Sequence, residues 1–416
     1  MVALRCARIV ATPHMHRPLI GLLASSLIAT GAVLAAQQSA QPAQTTFKSG
    51  VDLILIEATV LDKDGRPIAD LRAKEFSIKI GGKARTIAAA EYIPAGRAVV
   101  EAPTPGQDAP ATMPTTTPET SVGTARAQLG ASDRTIILAI DVDNIRSGAG
   151  RNALVDVAEY VATLPATDRI GIMTLPGGAT TVEPTSDRAV VRAALGRMAG
   201  TDHRMTSCDA TIGEAAAEAV NDDRGLEAFG IRAAPPRCPP ATRARLQQFV
   251  RTYRAQAQQT LRALKSLADG LSAVPGRRVI VLVSEGLYMD TDIVQELPAF
   301  GAVLERSRVV LYAIHLDFPL SEASAQYARA DTRLLDDRYG FDAMANAAVF
   351  GGGTAIRAVS RAMPAITRID QELSGTYLLA IERLPTDVAG KQMEVKVEVS
   401  RKGTEVRSRR NVTISK

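Results

Sequence analysis

The sequence predicts an α/β protein: a doubly wound, mainly parallel sheet inserted between two halves of a small antiparallel β-sandwich. Three observations lead there. Apolar runs of strand length alternate with helical patterns through the middle of the chain, which is the signature of a sheet covered on both faces. Period-two alternation occupies both ends. Neither end has enough strands to bury a core alone, so the two are expected to pack together.

The elements follow in order. Residues 1–36 read as a signal peptide: Arg5, Arg8 and Arg17 precede or open an apolar stretch that ends in small residues suited to cleavage after Ala35 or Ala36. The chain is therefore expected to be exported, periplasmic or secreted. Retention of the same stretch as an inner-membrane anchor is the alternative, since it is about long enough to span. Residues 37–50 form a polar lead. An N-terminal β unit (51–94) begins with a long strand over 51–61, turned by Asp62-Lys63-Asp64-Gly65, and continues with a strand over 76–80. Gly81-Gly82 then marks a hairpin turn into 84–92. Residues 95–132, rich in Pro, Thr and Ala, form a linker. The α/β domain (133–374) carries strands at 134–140, 169–175, 279–284 and 309–316, with a weaker edge strand near 180–183. Its helical patterns lie at 152–164, 187–198, 212–221, 242–271, 293–306, within 321–349, and at 366–373. Gly351-Gly352-Gly353 reads as a helix stop. The C-terminal strands (375–416) are expected at 377–382, 393–399 and 405–415, the last two joined by a turn at Gly403, with Arg409 and Arg410 on a solvated face.

Composition narrows the function. Of 416 residues, 46% are hydrophobic and 22% charged, as in ordinary globular protein. The net charge of +5 falls to about +2 without the three leader arginines. With no Trp and only 4% aromatic residues, neither a nucleic-acid partner nor a base-stacking face is expected. No segment after the leader is long and apolar enough to cross a membrane. Cys208 and Cys238 remain after the leader, and in an exported chain they are expected to pair as a disulfide, stabilising by roughly 3–4 kcal/mol through loop closure.

The most informative residue is Asp141. It ends a buried strand where a helix follows, so it stands at the carboxyl rim of a parallel sheet, where such folds bind ligands. The segments 60–68, 76–82, 137–143, 164–171, 276–286 and 373–377, in this order behind a leader, resemble the von Willebrand factor type A domain. The resemblance is closer still to the exported VWFA-related acidobacterial domain family, and it covers nearly the whole mature chain. It implies a metal-ion-dependent adhesion site for Mg²⁺ or Ca²⁺ built from Asp-x-Ser-x-Ser, a Thr on a second loop and a later Asp. Here Asp141 matches the first Asp, Asp143 replaces the first Ser and Ile145 the second. Glu285 stands for the later Asp, and Thr211, or alternatively Thr206, for the Thr. The site is thus degenerate. A cation held by three carboxylates would leave about −1 and repel the acidic group that such sites capture from a partner. The rival expectation is that Asp141 and Asp143 accept hydrogen bonds within the loops, while Glu285 pairs with Arg277 or Arg278 or faces solvent. Asp290 and Asp292 read as a helix cap and a first-turn charge.

The function implied is a non-catalytic, exported interaction module that binds a protein ligand at the sheet rim. Two alternatives stand beside it. Asp141-Val142-Asp143 after a strand is also the pattern of haloacid-dehalogenase phosphatases, with Ser284 and Asp336-Asp337 as the remaining set. A structural envelope protein with a relic site is the other. Only His203 and His315 remain in the mature chain, too few for a histidine-based catalytic or metal set, and His315 reads as a hydrogen-bonded core or rim residue.

Overall fold

The computed structural model of the protein describes residues 53–95, 134–201, 243–317, 337–338, 340–359 and 361–414. The expected leader, the 96–132 linker, the 212–221 helix, Thr206, Thr211 and the Cys208–Cys238 pair lie outside the described residues.

The protein is a mixed α/β structure with a six-stranded, mostly parallel sheet and two antiparallel sheets. Strand β5 (Arg134–Asp141) lies at its centre and is buried along its whole length. Side chains alternate across it, so its two apolar sets enter different cores. Ile136, Leu138 and Ile140 pack with Leu154, Val157 and Val161 of helix α1 (Ala149–Val161), with Val191 of α2 (Arg188–Arg197) and with Ile366 and Ile369 of α6 (Met363–Glu372). Ile137 and Ala139 face α3 (Arg243–Leu271), α4 (Thr291–Arg306) and α5 (Phe341–Phe350) on the other side. A continuous apolar strand is what burial on both faces demands. The 29-residue α3 obeys the helical period: Leu246, Val250, Ala257, Leu261, Leu264, Ala268 and Leu271 are its buried stripe.

On one side of β5 stand β6 (Arg169–Leu175) and the edge strand β7 (Ala179–Thr185). On the other stand β8 (Arg277–Ser284), β9 (Val309–Leu316) and β10 (Gly352–Ala358), giving the order β10-β9-β8-β5-β6-β7. All neighbours are parallel except β6 and β7, which a tight turn through Gly178 (φ 71°) joins antiparallel. The chain builds outward from β5 in one direction, then returns to β8 and builds in the other. Between β5 and β8 the order reverses, and the loops leaving those two strands diverge into a crevice.

Strand β10 departs from the sequence expectation, in which the three glycines only stop a helix. Gly351 does cap α5, but Gly352 (φ 80°) redirects the chain into a strand parallel to β9. Gly353 permits the contact, because a Cβ there would fall 2.2 Å from the Leu311 carbonyl oxygen. As a half-buried edge strand, β10 lacks the apolar alternation that reveals a strand.

The antiparallel sheets combine both chain ends. β1 (Leu53–Leu61) pairs with β11 (Gly375–Glu382), which also pairs with β4 (Ile87–Pro94). In the facing sheet β2 (Phe76–Ile80) pairs with β12 (Gln392–Val399) and with the short β3 (Lys83–Ala84). Their shared core holds Ile54, Ile56, Val60, Ile78, Ile80, Leu379, Ile381, Val395 and Val397. Tyr377 sits edge-on to Phe76 and Tyr92, and its hydroxyl accepts the Leu71 N–H at 2.9 Å. The α/β sheet thus lies between two strands, β4 and β11, that are hydrogen-bonded neighbours. The expected single strand at 405–415 is instead two: β13 (Glu405–Ser408) extends the first sheet beside β1, and β14 (Asn411–Thr413) joins β12 in the second. At this corner Arg409 turns inward and donates to the Val309 carbonyl (2.9 Å), contrary to the solvated face expected for it; Arg410 is exposed.

Candidate functional site

The candidate site is the crevice where β5 and β8 end. Asp141 is fully buried. After it the chain makes one 3-10 turn, Val142–Asn144, and Ile145 follows before α1. Asp141 Oδ2 accepts from Asn144 Nδ2 (2.9 Å) and stands 2.8 Å from Ser284 Oγ at the end of β8. That hydroxyl also lies 2.7 Å from the Gly286 carbonyl and accepts the Gly286 N–H. Asn144 and Ser284 thus bring the side chains of both loops onto Asp141.

Glu285 does not pair with Arg277 or Arg278. Those arginines begin β8, at the opposite end of the sheet from Glu285; Arg277 donates to the Leu373 carbonyl, and Arg278 to those of Val274 and Ser307. An eight-residue strand separates the two ends by roughly 25 Å. Glu285, with its side chain only 2% exposed, instead folds back over the β5 loop. Its Oε1 accepts the Arg146 N–H (2.6 Å), its Oε2 accepts from Arg146 Nε (2.8 Å), and its own N–H donates to the Asn144 carbonyl (3.3 Å). The two loops are therefore clamped together by a guanidinium–carboxylate pair and by the Asp141–Asn144–Ser284 cluster.

Asp143 takes a third direction. Its Oδ1 accepts from Thr201 Oγ1 at 2.8 Å, and the Thr201 N–H donates to the Val142 carbonyl. Sequence reasoning passed over Thr201 in favour of Thr206 and Thr211. The available signal was Gly200-Thr201 just past the end of α2: a Cβ on Gly200 would lie 1.8 Å from the Ile145 carbonyl oxygen, so only glycine lets this loop close on the rim. Ile145 is completely buried and belongs to the core beside α1. A position that supplies a hydroxyl ligand in the resembled site is here a hydrophobic plug.

Asp141, Asp143 and Glu285 each serve a different partner, and among the described residues no group of three or more His, Cys, Asp and Glu side chains is arranged to hold an ion. The positive charge that Glu285 answers is the Arg146 guanidinium.

Asp290 and Asp292 take the expected roles: Asp290 Oδ1 accepts the Ile293 N–H (3.1 Å) as the N-cap of α4, and Asp292 lies in its first turn. Further along the same rim, at the ends of β9 and β10, Arg357 pairs with Asp317 and Asp337 and lies 4.3 Å from the Phe341 ring centre. His315 packs edge-on against the same ring. Burial, and then the nearby Arg357 charge, push His315 down to about 4 from its ordinary 6.5. A base whose folded pKa is depressed takes up its proton more readily when unfolded. Stability linked to His315 is thus complete above about pH 6.5 and is lost as pH falls toward 4. Replacing His315 by Asn should flatten stability against pH across that window in urea titrations; an unchanged slope would assign the acid sensitivity to carboxylates.

No helix among the described residues is long and apolar enough to cross a membrane. Comparison with protein-family models and with curated proteins gives no match, so function is inferred from the chemistry of the rim itself.

Proposed function

We propose that the chain is a non-catalytic, exported protein-interaction module of the von Willebrand factor type A kind, binding a protein ligand at the sheet rim without a metal ion. The observation that carries this reading is the pair of clamps across the β5–β8 crevice. They stand where a doubly wound sheet binds its ligands, and they give Asp141 Oδ2 and both Glu285 oxygens partners within the protein. The Arg146–Glu285 pair does the work of a cation in joining the two loops. Ser147 and Thr201, both exposed, flank the clamps and offer contact surface.

A phosphatase reading is weaker on physical grounds. Its nucleophile would be Asp141, yet that carboxylate is sealed from solvent and holds Asn144 and Ser284. Asp337, from the proposed late acidic pair, is ion-paired with Arg357.

The test has two arms. Titrating the full chain with Mg²⁺, Ca²⁺ or chelator should leave Tm unmoved, whereas Arg146→Ala should lower it; a saturable rise with either cation contradicts the ion-free clamp. Exported proteins captured by the immobilised wild type should be lost with Ser147→Arg and with Ser147→Glu, each at unchanged Tm. Capture that survives those changes, or Mg²⁺-dependent phosphoester hydrolysis abolished by Asp141→Asn, would overturn the proposal.

A further inference from the structure

A second polar feature lies at the opposite end of the parallel sheet, where its amino edge meets the sandwich. The even-numbered residues of β1 fill the sandwich core, so Glu57 and Thr59 face the other way. They line a crevice of about 20 Å³, partly open to solvent, together with Thr376 of β11, Arg277 at the start of β8, Arg407 of β13 and Arg409.

Three guanidinium groups meet one carboxylate there. Arg407 is answered from outside the crevice by Glu372 (3.4 Å) and Glu405. Arg277 and Arg409 are not so provided. Arg277 is 5% exposed; its Nη1 donates to the Leu373 carbonyl, but its Nε is buried with no hydrogen-bond partner. Arg409 spends its Nη2 on the Val309 carbonyl, and its buried Nη1 likewise has no partner. Burial pushes both groups below the ordinary arginine value; Glu57, and for Arg409 also Glu305, only partly counter it. A buried guanidinium with an unsatisfied N–H is destabilising, and native structures meet that cost with a counter-charge or another acceptor. With Arg407 paired, the lining sets Arg277 and Arg409 against Glu57 alone, one positive charge in excess, while Glu305 and Arg308 act on Arg409 from beyond it with opposite signs. Water would supply an acceptor but no charge.

We propose that this crevice binds one small inorganic monoanion of halide type, held by Arg277 and Arg409 and joining the sandwich to the amino edge of the parallel sheet. The site is distinct from the rim and does not depend on the function assigned to it.

The full chain, exchanged into gluconate buffer and titrated with bromide at constant ionic strength, tests this. The wild type should show a rise in Tm of a few degrees that saturates, and Arg409→Gln should show none. A flat response, or the same response in both proteins, overturns the proposal. If Arg409→Gln does not fold, the anomalous signal of wild-type crystals grown in bromide decides. A peak within hydrogen-bonding distance of Arg277 Nε and Arg409 Nη1, together with the saturable Tm rise, supports the site. An ordered water there, or a peak without the thermal response (an adventitious ion only), overturns it.

Discussion

Asp141→Ala is expected to destabilise the protein by roughly 3–5 kcal/mol, because hydrogen bonds to a buried charged acceptor each contribute about 1.5–3 kcal/mol. Two donors depend on Asp141 Oδ2: the Asn144 amide and the Ser284 hydroxyl. Ser284 keeps the Gly286 carbonyl as a second acceptor, which softens its loss; Asn144 is 7% exposed and gains little from water. The effect should appear as a fall in urea midpoint at nearly constant m-value. Asp141→Asn, which retains one acceptor oxygen and the shape, should cost roughly 1–2 kcal/mol. Equal losses for Ala and Asn would mean that the charge of Asp141 matters and its geometry does not. A loss below about 1 kcal/mol for Ala would remove Asp141 as the organiser of the rim.

Arg85→Ala should be comparably severe, again roughly 3–5 kcal/mol, since it strands a buried carboxylate. Arg85 and Asp387 form a two-pronged pair, Nη1 to Oδ2 and Nη2 to Oδ1, both 2.8 Å, with side chains 0% and 1% exposed. Asp387 also accepts the Leu384 N–H (2.9 Å), so the pair pins the loop between β11 and β12 to the segment joining β3 and β4. The Arg85 hydrogen bond, above all, holds the Asp387 carboxyl below its ordinary 3.8. A depressed carboxylate contributes stability that is complete above the unfolded value and lost as pH falls through the folded one. The wild type should therefore weaken below about pH 4, and Arg85→Ala should lose that part of the acid dependence along with its stability. Replacing both residues together, as Arg85→Met/Asp387→Leu, should recover most of the loss, because the penalty comes from the stranded charge. A double variant as unstable as Arg85→Ala would show instead that the pair itself is needed.

The central strands were the most legible part of the fold. β5, β8 and β9 are unbroken apolar runs, and only burial on both faces explains such runs in a chain that alternates strand with helix. Asp290 was equally readable, because an N-cap needs nothing beyond the next three residues. Edge elements were less so: β10 is half-exposed, and the last strand divides at Arg409 because two sheets compete for it. At the rim, position was legible and partnership was not. Asp141 and Glu285 end neighbouring strands as expected, but Glu285 found Arg146, 139 residues away in sequence, and Asp143 found Thr201.

The amino-acid order alone determined the central strands of the parallel sheet, that both chain ends supply antiparallel strands, and that acidic residues crowd the carboxyl ends of β5 and β8. Those properties follow from periodicity and local chemistry, which reach only a few residues along the chain. Tertiary structure decided which charge meets which. Ion pairing depends on distance in space, and only packing brings Arg146 to Glu285, Arg85 to Asp387, and two unsatisfied guanidinium groups into one crevice.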